Sequence, residues 1–148
     1  MFISLIFYDN VPMKGEIQMF EMKDEFLTGI DMIDDEHREL FRIAQSAMDL
    51  YQNEFVADKY DHIVEILEEL KAYTVKHFAD EEAYMESIHY KRLFSQKIEH
   101  NAFIEKLNEY NLDEIDENQN ETILDLLNFL NDWLVNHILE QDKLISKG

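Results

Sequence analysis

The stretch KAYTVKHFADEEAYM, residues 71–85, places His77 and Glu81 four residues apart. On an α-helix this spacing puts the two side chains on one face, one turn apart. The rest of that face is apolar and carries Ile63, Ile66, Leu67, Leu70, Tyr73, Tyr84, Met85 and Ile88. An ionised carboxylate is costly to bury unless it is paired or bound to a metal. The two residues therefore form either a hydrogen-bonded pair in the core or part of a metal site, and taken alone they favour the first interpretation.

The chain has 148 residues, of which 46% are hydrophobic, so it is long enough for a single domain with its own core. It contains no cysteine. This excludes disulfides, thiolate zinc fingers, iron–sulfur clusters and a cysteine nucleophile. It also offers no reason to place the protein outside the cytoplasm.

Acidic residues outnumber basic residues by 33 to 13, which gives a net charge of -20. Such a surface repels nucleic acid and anionic membranes, so neither is expected as a partner. The apolar start, residues 1–8, is too short to span a bilayer and lacks the basic leader and cleavage site of a signal peptide. We therefore expect a cytoplasmic protein.

Residues 30–147 contain neither glycine nor proline. Strand-and-turn architectures need turn residues repeatedly, so this composition favours long helices with short links. We predict an all-α, up-down-up-down four-helix bundle with an irregular N-terminal arm. The first helix begins near Asp34 and its apolar stripe reaches Tyr51; the others cover about 58–88, with Asp58 as a plausible cap, 90–112 and 121–146. The polar stretch 113–120 is predicted to be a loop.

The chain is predicted to divide into an N-terminal extension and a bundle domain. Residues 1–18 are predicted to be an extension, and residues 19–148 to form the bundle domain. Met19 resembles a second start, so the extension is either the product of an upstream start codon or an ordered arm. Residues 19–33 are predicted to be irregular and to contribute apolar side chains to the packing.

The inner faces of the four predicted helices all carry histidine. The unusual residues are His37 on the first helix, His77 and Glu81 on the second, Gln96 and His100 on the third, and His137 with Asp142 on the fourth. Imidazoles and bridging carboxylates inside a bundle are a common way to hold two transition metals, often iron. The joint pattern predicts a metal site. Because five residues turn Asp142 by about 140° from His137 on an ideal helix, a bulge or a long carboxylate reach is needed.

The order and spacing of these residues resemble the metal motif of the hemerythrin family. The surrounding sequence agrees, with T-G-I-x-x-I-D-x-x-H at 28–37, Y-T-x-x-H-F-x-x-E-E at 73–82 and W-L-x-x-H-I at 133–138. Residues 19–23 are similar to the start of bacterial hemerythrins, with Met22 where they usually have tryptophan. The resemblance covers residues 19 to about 145.

The resemblance implies two iron ions in an oxo- or hydroxo-bridged centre, with dioxygen bound at one of them. His37 and His77 would hold the iron with the open position, and Glu81 and Asp142 would bridge both irons. The other iron would have three histidine ligands, which are His100, His137 and one more.

The third of these histidine positions falls on Gln96. Glutamine offers only an amide oxygen, a weaker ligand for iron than imidazole. Gln96 therefore ligates weakly, water fills its place, or a nearby side chain moves in. His89 lies seven residues earlier, about 10 Å along a regular helix, which favours a surface or corner histidine. His62, near the start of the second helix, is likewise expected to lie outside the site.

Apolar side chains are expected to form a water-excluding wall over the iron that has the open position. The resemblance suggests that it consists of Leu40, Phe78, Trp133, Leu134 and Ile138. Ordinary core packing is the alternative interpretation of these residues, and the two are compatible.

Three functions are compatible with the sequence. The first is a binding protein that carries, stores or senses dioxygen. The second is a di-iron enzyme, an oxidase, a peroxidase or a protein that handles nitric oxide, enabled by a second open position at Gln96. The third is a metal-free interaction bundle. No Ser-His-Asp set, glycine-rich phosphate loop or basic stripe is recognisable, and the oligomeric state is left open.

Overall fold

A computed structural model describes residues 18–147 of the chain. The predicted extension at 1–18 therefore lies, apart from Gln18, outside the described residues, and the division into extension and bundle domain stays a prediction. The main helices are α1 (Asp31–Gln52), α2 (Tyr60–Ser87), α3 (Leu93–Asn108), α4 (Leu112–Glu117), α5 (Gln119–Leu130) and α6 (Asn136–Glu140). A π-helical turn, Asn131–Val135, joins α5 to α6, and 3-10 helices cover Asp24–Phe26 and Asp142–Lys147.

The predicted all-α bundle with an N-terminal arm is confirmed. Helix α1 packs on α2 and on α5, and α2 packs on α3. The fourth member of the bundle is the segment from α5 through α6. The main core includes Leu40, Met48, Leu70, Phe103 and Leu127, all fully buried between these helices. Within residues 18–147, no helix has both the length and the apolar character to cross a membrane.

Helix α1 begins at Asp31, three residues before the predicted start. Asp34 does not precede the helix. It lies within it, and its side chain is hydrogen-bonded to the N-terminal arm. Its carboxylate accepts hydrogen bonds from Thr28 N and Thr28 Oγ1 at 2.8 Å each, and from Gly29 N at 3.1 Å. Gly29 has a φ of 85°, a left-handed conformation that glycine adopts without strain. The arm is thereby fixed to the first turn of α1.

The prediction of a loop at 113–120 is wrong, because α4 occupies most of it. The Asn111 side chain accepts a hydrogen bond from Asp113 N at 2.9 Å and so caps this short helix. Asp113 and Glu114 suit its positive N-terminal end. Ile115, the one apolar residue of that stretch, is buried. A cap and a single buried side chain thus turn an acidic segment into a helical turn.

Other boundaries differ by a few residues. Helix α3 is shorter at both ends than the predicted 90–112, because residues 88–92 form the corner after α2. Helix α2 begins at Tyr60, and the Asp58 carboxylate accepts a hydrogen bond from Tyr60 N at 3.1 Å, one residue outside the usual cap position. The predicted single fourth helix is interrupted by the π-helical turn and ends at Glu140.

Candidate metal centre

The histidines and carboxylates predicted as metal ligands converge inside the bundle. They come from five elements, α1, α2, α3, α6 and the 3-10 helix at Asp142–Lys147. All are buried, with at most 5% of each residue exposed: His37, His77, Glu81, His100, His137 and Asp142. That these side chains bind metal stays a prediction, but their convergence is the geometry such a site requires.

The donor atoms form two overlapping groups. One group consists of His37, His77, Glu81 and Asp142, and the other of His100, His137 and the same two carboxylates. Within each group the donor atoms all lie within 4.8 Å of one another. We call His37 with His77 the first imidazole pair, and His100 with His137 the second imidazole pair. Each imidazole pair belongs to only one donor group, whereas Glu81 and Asp142 belong to both groups.

Glu81 spans the two pairs with its two oxygens. Its Oε2 lies 3.7 Å from His37 Nε2 and 3.6 Å from His77 Nε2, so it faces the first imidazole pair. Its Oε1 lies 3.0 Å from His100 Nε2 and faces the second pair. A carboxylate in this position is able to bridge two metal ions.

Asp142 spans the pairs in the same way. Its Oδ2 lies 3.1 Å from His37 Nε2, and its Oδ1 lies 3.1 Å from His137 Nε2. The regular helix does not continue from His137 to this residue, because α6 ends at Glu140 and Gln141 has φ -113° and ψ -54°. The departure from helical geometry that the five-residue spacing requires is therefore a helix end between the two residues.

Several buried polar atoms at this centre make no well-directed hydrogen bond to any group in residues 18–147, although three of the imidazole nitrogens lie 3.0–3.1 Å from a carboxylate oxygen. They are Nε2 of His37, His100 and His137, both carboxylate oxygens of Glu81, and Oε1 of Gln96. Leaving a buried polar atom unpaired costs roughly 1–3 kcal/mol, so such a cluster calls for an explanation. Neutral imidazole nitrogens and carboxylate oxygens are the donor set that iron accepts in helical bundles. The residues present therefore fit a pair of metal ions.

Three further glutamates orient three of the four imidazoles. The sequence alone did not indicate this role for them. Glu36 accepts a hydrogen bond from His77 Nδ1 at 2.8 Å, Glu82 from His100 Nδ1 at 2.7 Å and Glu99 from His137 Nδ1 at 3.0 Å. A carboxylate on Nδ1–H fixes the ring and its tautomer and leaves the Nε2 lone pair free for a metal. Each glutamate adjoins a predicted ligand in sequence but serves a histidine on another helix. Among 33 acidic residues, sequence alone offers no way to select them.

The titration of the two shared carboxylates, Glu81 and Asp142, follows from their surroundings. Burial raises the pKa of Glu81, and Asp142 raises it further, but the neighbouring histidines outweigh both and the pKa is lowered. Burial also raises the pKa of Asp142, yet His137 and His37 hold it well below its usual range. Both carboxylates are therefore ionised at neutral pH.

The metal-free protein should lose stability as pH rises from about 6.5 to 9. Burial lowers the pKa of His37 and of His137, but Asp142 and Glu81 outweigh burial and raise each to about 9 from 6.5. A raised folded-state pKa gives stability that is complete below 6.5 and disappears as pH passes about 9. Urea unfolding of metal-free protein across this range measures the effect.

The matched control for this pH prediction is His62→Gln, because His62 is exposed near the start of α2. That variant should keep the full decline, whereas His37→Gln should reduce it to roughly half, because His137 still holds its proton. A free energy of unfolding that stays constant or rises between pH 6.5 and 9 would show that the two imidazoles do not hold these protons.

Gln96 lies beside the second imidazole pair. It is 1% exposed, and its Nε2 donates a hydrogen bond to Asp142 Oδ1 at 3.1 Å. Its Oε1 has no hydrogen-bond partner among residues 18–147. His89, the possible substitute, is exposed at the corner after α2 with a φ of 54°, as expected for a corner histidine. It belongs to neither donor group among the described residues.

Two aromatic rings cover the second imidazole pair. The Phe78 ring stacks on His100 with centroids 3.9 Å apart, and the Trp133 ring stacks on His137 at 4.3 Å. Both had been predicted as a wall over the first pair, where Phe78 lies 5.7 Å from the His77 ring. Trp133 belongs to the π-helical turn. The other predicted wall residues are buried in the core: Leu40, Leu134 and Ile138.

Comparison with known proteins agrees with this geometry. Residues 28–147 match the family model described as Hemerythrin HHE cation binding domain. The chain is 50% identical over 125 residues to a bacteriohemerythrin of Clostridium acetobutylicum, a match that covers 84% of this chain and 97% of that protein. It is 33% identical over 121 residues to a bacteriohemerythrin of Pseudomonas aeruginosa, covering 81% and 74%. It is also 33% identical over 113 residues to the hemerythrin of Themiste dyscrita, covering 76% and 79%. The chain therefore belongs to the hemerythrin family.

Proposed function

We propose that this protein binds two iron ions, one at each imidazole pair, and binds dioxygen reversibly at the first pair as a carrier, store or sensor. The observation that carries the proposal is the sharing of Glu81 and Asp142 by two buried donor groups. A single ion would need only one of these groups. The cytoplasmic location expected from the sequence stays a prediction.

The two donor sets are unequal in a way that supports this assignment. The first pair has two imidazoles and the two shared carboxylates, whereas the second pair also has the Gln96 amide at hand. Fewer donors at the first pair leave room for a small ligand there. Two ferrous ions would supply the electrons that dioxygen takes up and returns.

The surrounding residues hold the site in a state suited to this role. Glu36, Glu82 and Glu99 fix three imidazoles with Nε2 directed to the centre. Phe78 and Trp133 stack on the His100 and His137 rings and so hold the two imidazoles of the second pair in place. A dry, preorganised centre limits proton access, and limited proton access slows the loss of dioxygen as peroxide.

Reversible spectral change tests the proposal. Iron-loaded, reduced protein should develop a new visible absorption band in air, and the band should disappear when the solution is flushed with argon. Iron analysis of the same sample should find about two ions per chain, the number that two donor groups require. Irreversible oxidation in air, or protein that binds no iron, would contradict the proposal. The second of these results would instead favour the metal-free interaction bundle.

The geometry at Gln96 favours a second candidate function, a di-iron redox enzyme acting on peroxide or nitric oxide. Its Nε2 is engaged with Asp142 and its Oε1 is an amide oxygen, so the second pair lacks a third strong donor. Such a metal position is open to water or peroxide. Steady turnover of peroxide by pure, iron-loaded protein would support this candidate over the dioxygen carrier.

Gln96→His should slow the loss of the dioxygen adduct. An imidazole is a stronger donor to iron than an amide and would close the position beside the second pair. We expect the adduct of the variant to decay several-fold more slowly, by about 1 kcal/mol in the barrier, when its absorption is followed in air-saturated buffer. Equal lifetimes for native protein and variant would rule out an open position at Gln96.

A further inference from the structure

The glutamate bonded to His77 is itself paired with a cation. Glu36 Oε1 accepts the hydrogen bond from His77 Nδ1, while Glu36 Oε2 lies 2.8 Å from Lys76 Nζ. Lys76 Nζ also lies 2.8 Å from Asp80 Oδ2. The Lys76 side chain is 58% exposed and that of Glu36 only 8%. A surface ammonium is thus linked to a buried imidazole through one buried carboxylate.

No comparable cation is paired with the glutamates of the second imidazole pair within the part of the chain that the structure describes. In the described part of the chain, the only ion-pair partner of Glu82 is His100 and the only one of Glu99 is His137. His37 differs again, because its Nδ1 has no hydrogen-bond partner there. The first pair therefore has one imidazole with no carboxylate on Nδ1 among the described residues and one whose Nδ1 carboxylate is paired with an ammonium. In the second pair, each Nδ1 is bonded to a glutamate that has no ammonium beside it in residues 18–147, and these glutamate side chains are 25% and 37% exposed.

This difference should change how strongly each pair donates electrons. A carboxylate on Nδ1–H increases the electron density at Nε2 and strengthens it as a ligand. An ammonium 2.8 Å away attracts the charge of the same carboxylate and weakens that effect. Glu36 is buried, so water screens its carboxylate little, whereas the Lys76 ammonium faces water and is shared with Asp80. The first pair is consequently the weaker electron donor.

We propose that Lys76 is a positioning residue that acts through Glu36 to weaken the donor strength of His77 and so keeps a metal at the first pair reduced. This inference rests on the proposed di-iron function. It assigns the two metal positions different redox preferences, with the first pair favouring the ferrous state. The first pair is also the place where dioxygen is proposed to bind, and dioxygen binding requires reduced iron.

Lys76→Met tests the inference, because it removes the charge and keeps most of the aliphatic chain. At a fixed potential, iron-loaded variant should show a ratio of oxidised to reduced iron about three- to tenfold higher than native protein, where tenfold corresponds to about 59 mV for one electron. Lys76→Arg should restore the native ratio. The matched control is Lys106→Met, which removes the same charge beside Asp125, far from Glu36 in the sequence. It should leave the ratio unchanged.

A double-mutant cycle separates action through Glu36 from a direct effect of the lysine charge. In a Glu36→Gln background, Lys76→Met should no longer change the ratio. A change that persists in this background, or an effect of Lys106→Met as large as that of Lys76→Met, would overturn the inference. A protein that binds two irons and shows a native ratio in Lys76→Met overturns this inference alone. A protein that binds no iron overturns the proposed function as well.

Discussion

Glu81→Gln should reduce the iron content from about two ions per chain to one or none. Glu81 faces both imidazole pairs, 3.0 Å from His100 Nε2 and 3.6 Å from His77 Nε2, so its charge would serve both of the proposed metal positions. Glutamine keeps the size of the side chain but offers one neutral oxygen. Changing a residue that only supports a ligand costs 10–100-fold in affinity, so loss of a bridging ligand should exceed about a hundredfold. Iron analysis after dialysis against a weak chelator measures the result.

Glu86→Gln is the matched control for this experiment. Glu86 lies on the same helix, five residues further on, and is exposed. The same chemical change there should leave two irons bound. If Glu81→Gln keeps two irons with native affinity, Glu81 is not shared by two metal ions, and the paired arrangement is wrong.

Loading the site with metal should raise the melting temperature by about 8–16 °C. Within residues 18–147, several buried polar atoms of the centre make no well-directed hydrogen bond, and a metal would satisfy them only in the folded chain. A free-metal concentration a thousand times Kd adds about 4 kcal/mol of stability. For a domain of this length, each kcal/mol raises Tm by about 2–4 °C. Circular dichroism of metal-free protein and of protein titrated with ferrous iron under argon shows the shift.

The variant Glu81→Gln provides the control for this stabilisation as well. Its melting temperature should respond far less to the metal, whereas Glu86→Gln should respond as native protein does. A native protein whose melting temperature is unchanged by a large excess of ferrous iron would indicate that the buried groups do not form a metal centre.

The bundle and most of its donor residues were predictable from sequence because both depend on helical periodicity. The absence of glycine and proline over residues 30–147 implies helices. Once helices are assumed, the four-residue spacing of His77 and Glu81 places them on one face. The apolar positions around them then direct that face inward. Convergence of imidazoles from several helices follows from the closure of the bundle.

Features that depend on contacts between distant residues could not be predicted. The glutamates on the histidine rings, Glu36, Glu82 and Glu99, pair with partners 41, 18 and 38 positions away. Nothing in their local sequence distinguishes them from the other acidic residues. The helical turn at 112–117 was missed for a similar reason, since it depends on burial of Ile115 by the rest of the fold.

The position of Asp142 could be predicted only in part. Its spacing from His137 showed that a regular helix would separate the two side chains. The sequence did not show how the chain resolves this, which is by ending α6 at Glu140 and starting a 3-10 helix at Asp142. The direction of the Phe78 and Trp133 rings, toward the second imidazole pair, likewise depends on packing around the π-helical turn.

Anomalous diffraction at the iron edge from crystals of the iron-loaded protein tests the central claim most directly. Two peaks, about 3.5–4 Å apart as in other two-metal sites, should lie between the imidazole pairs. One should be next to His37 and His77, the other next to His100 and His137, with Glu81 and Asp142 reaching both. A single peak, or no peak between the two shared carboxylates, would contradict the paired metal centre and the function proposed from it.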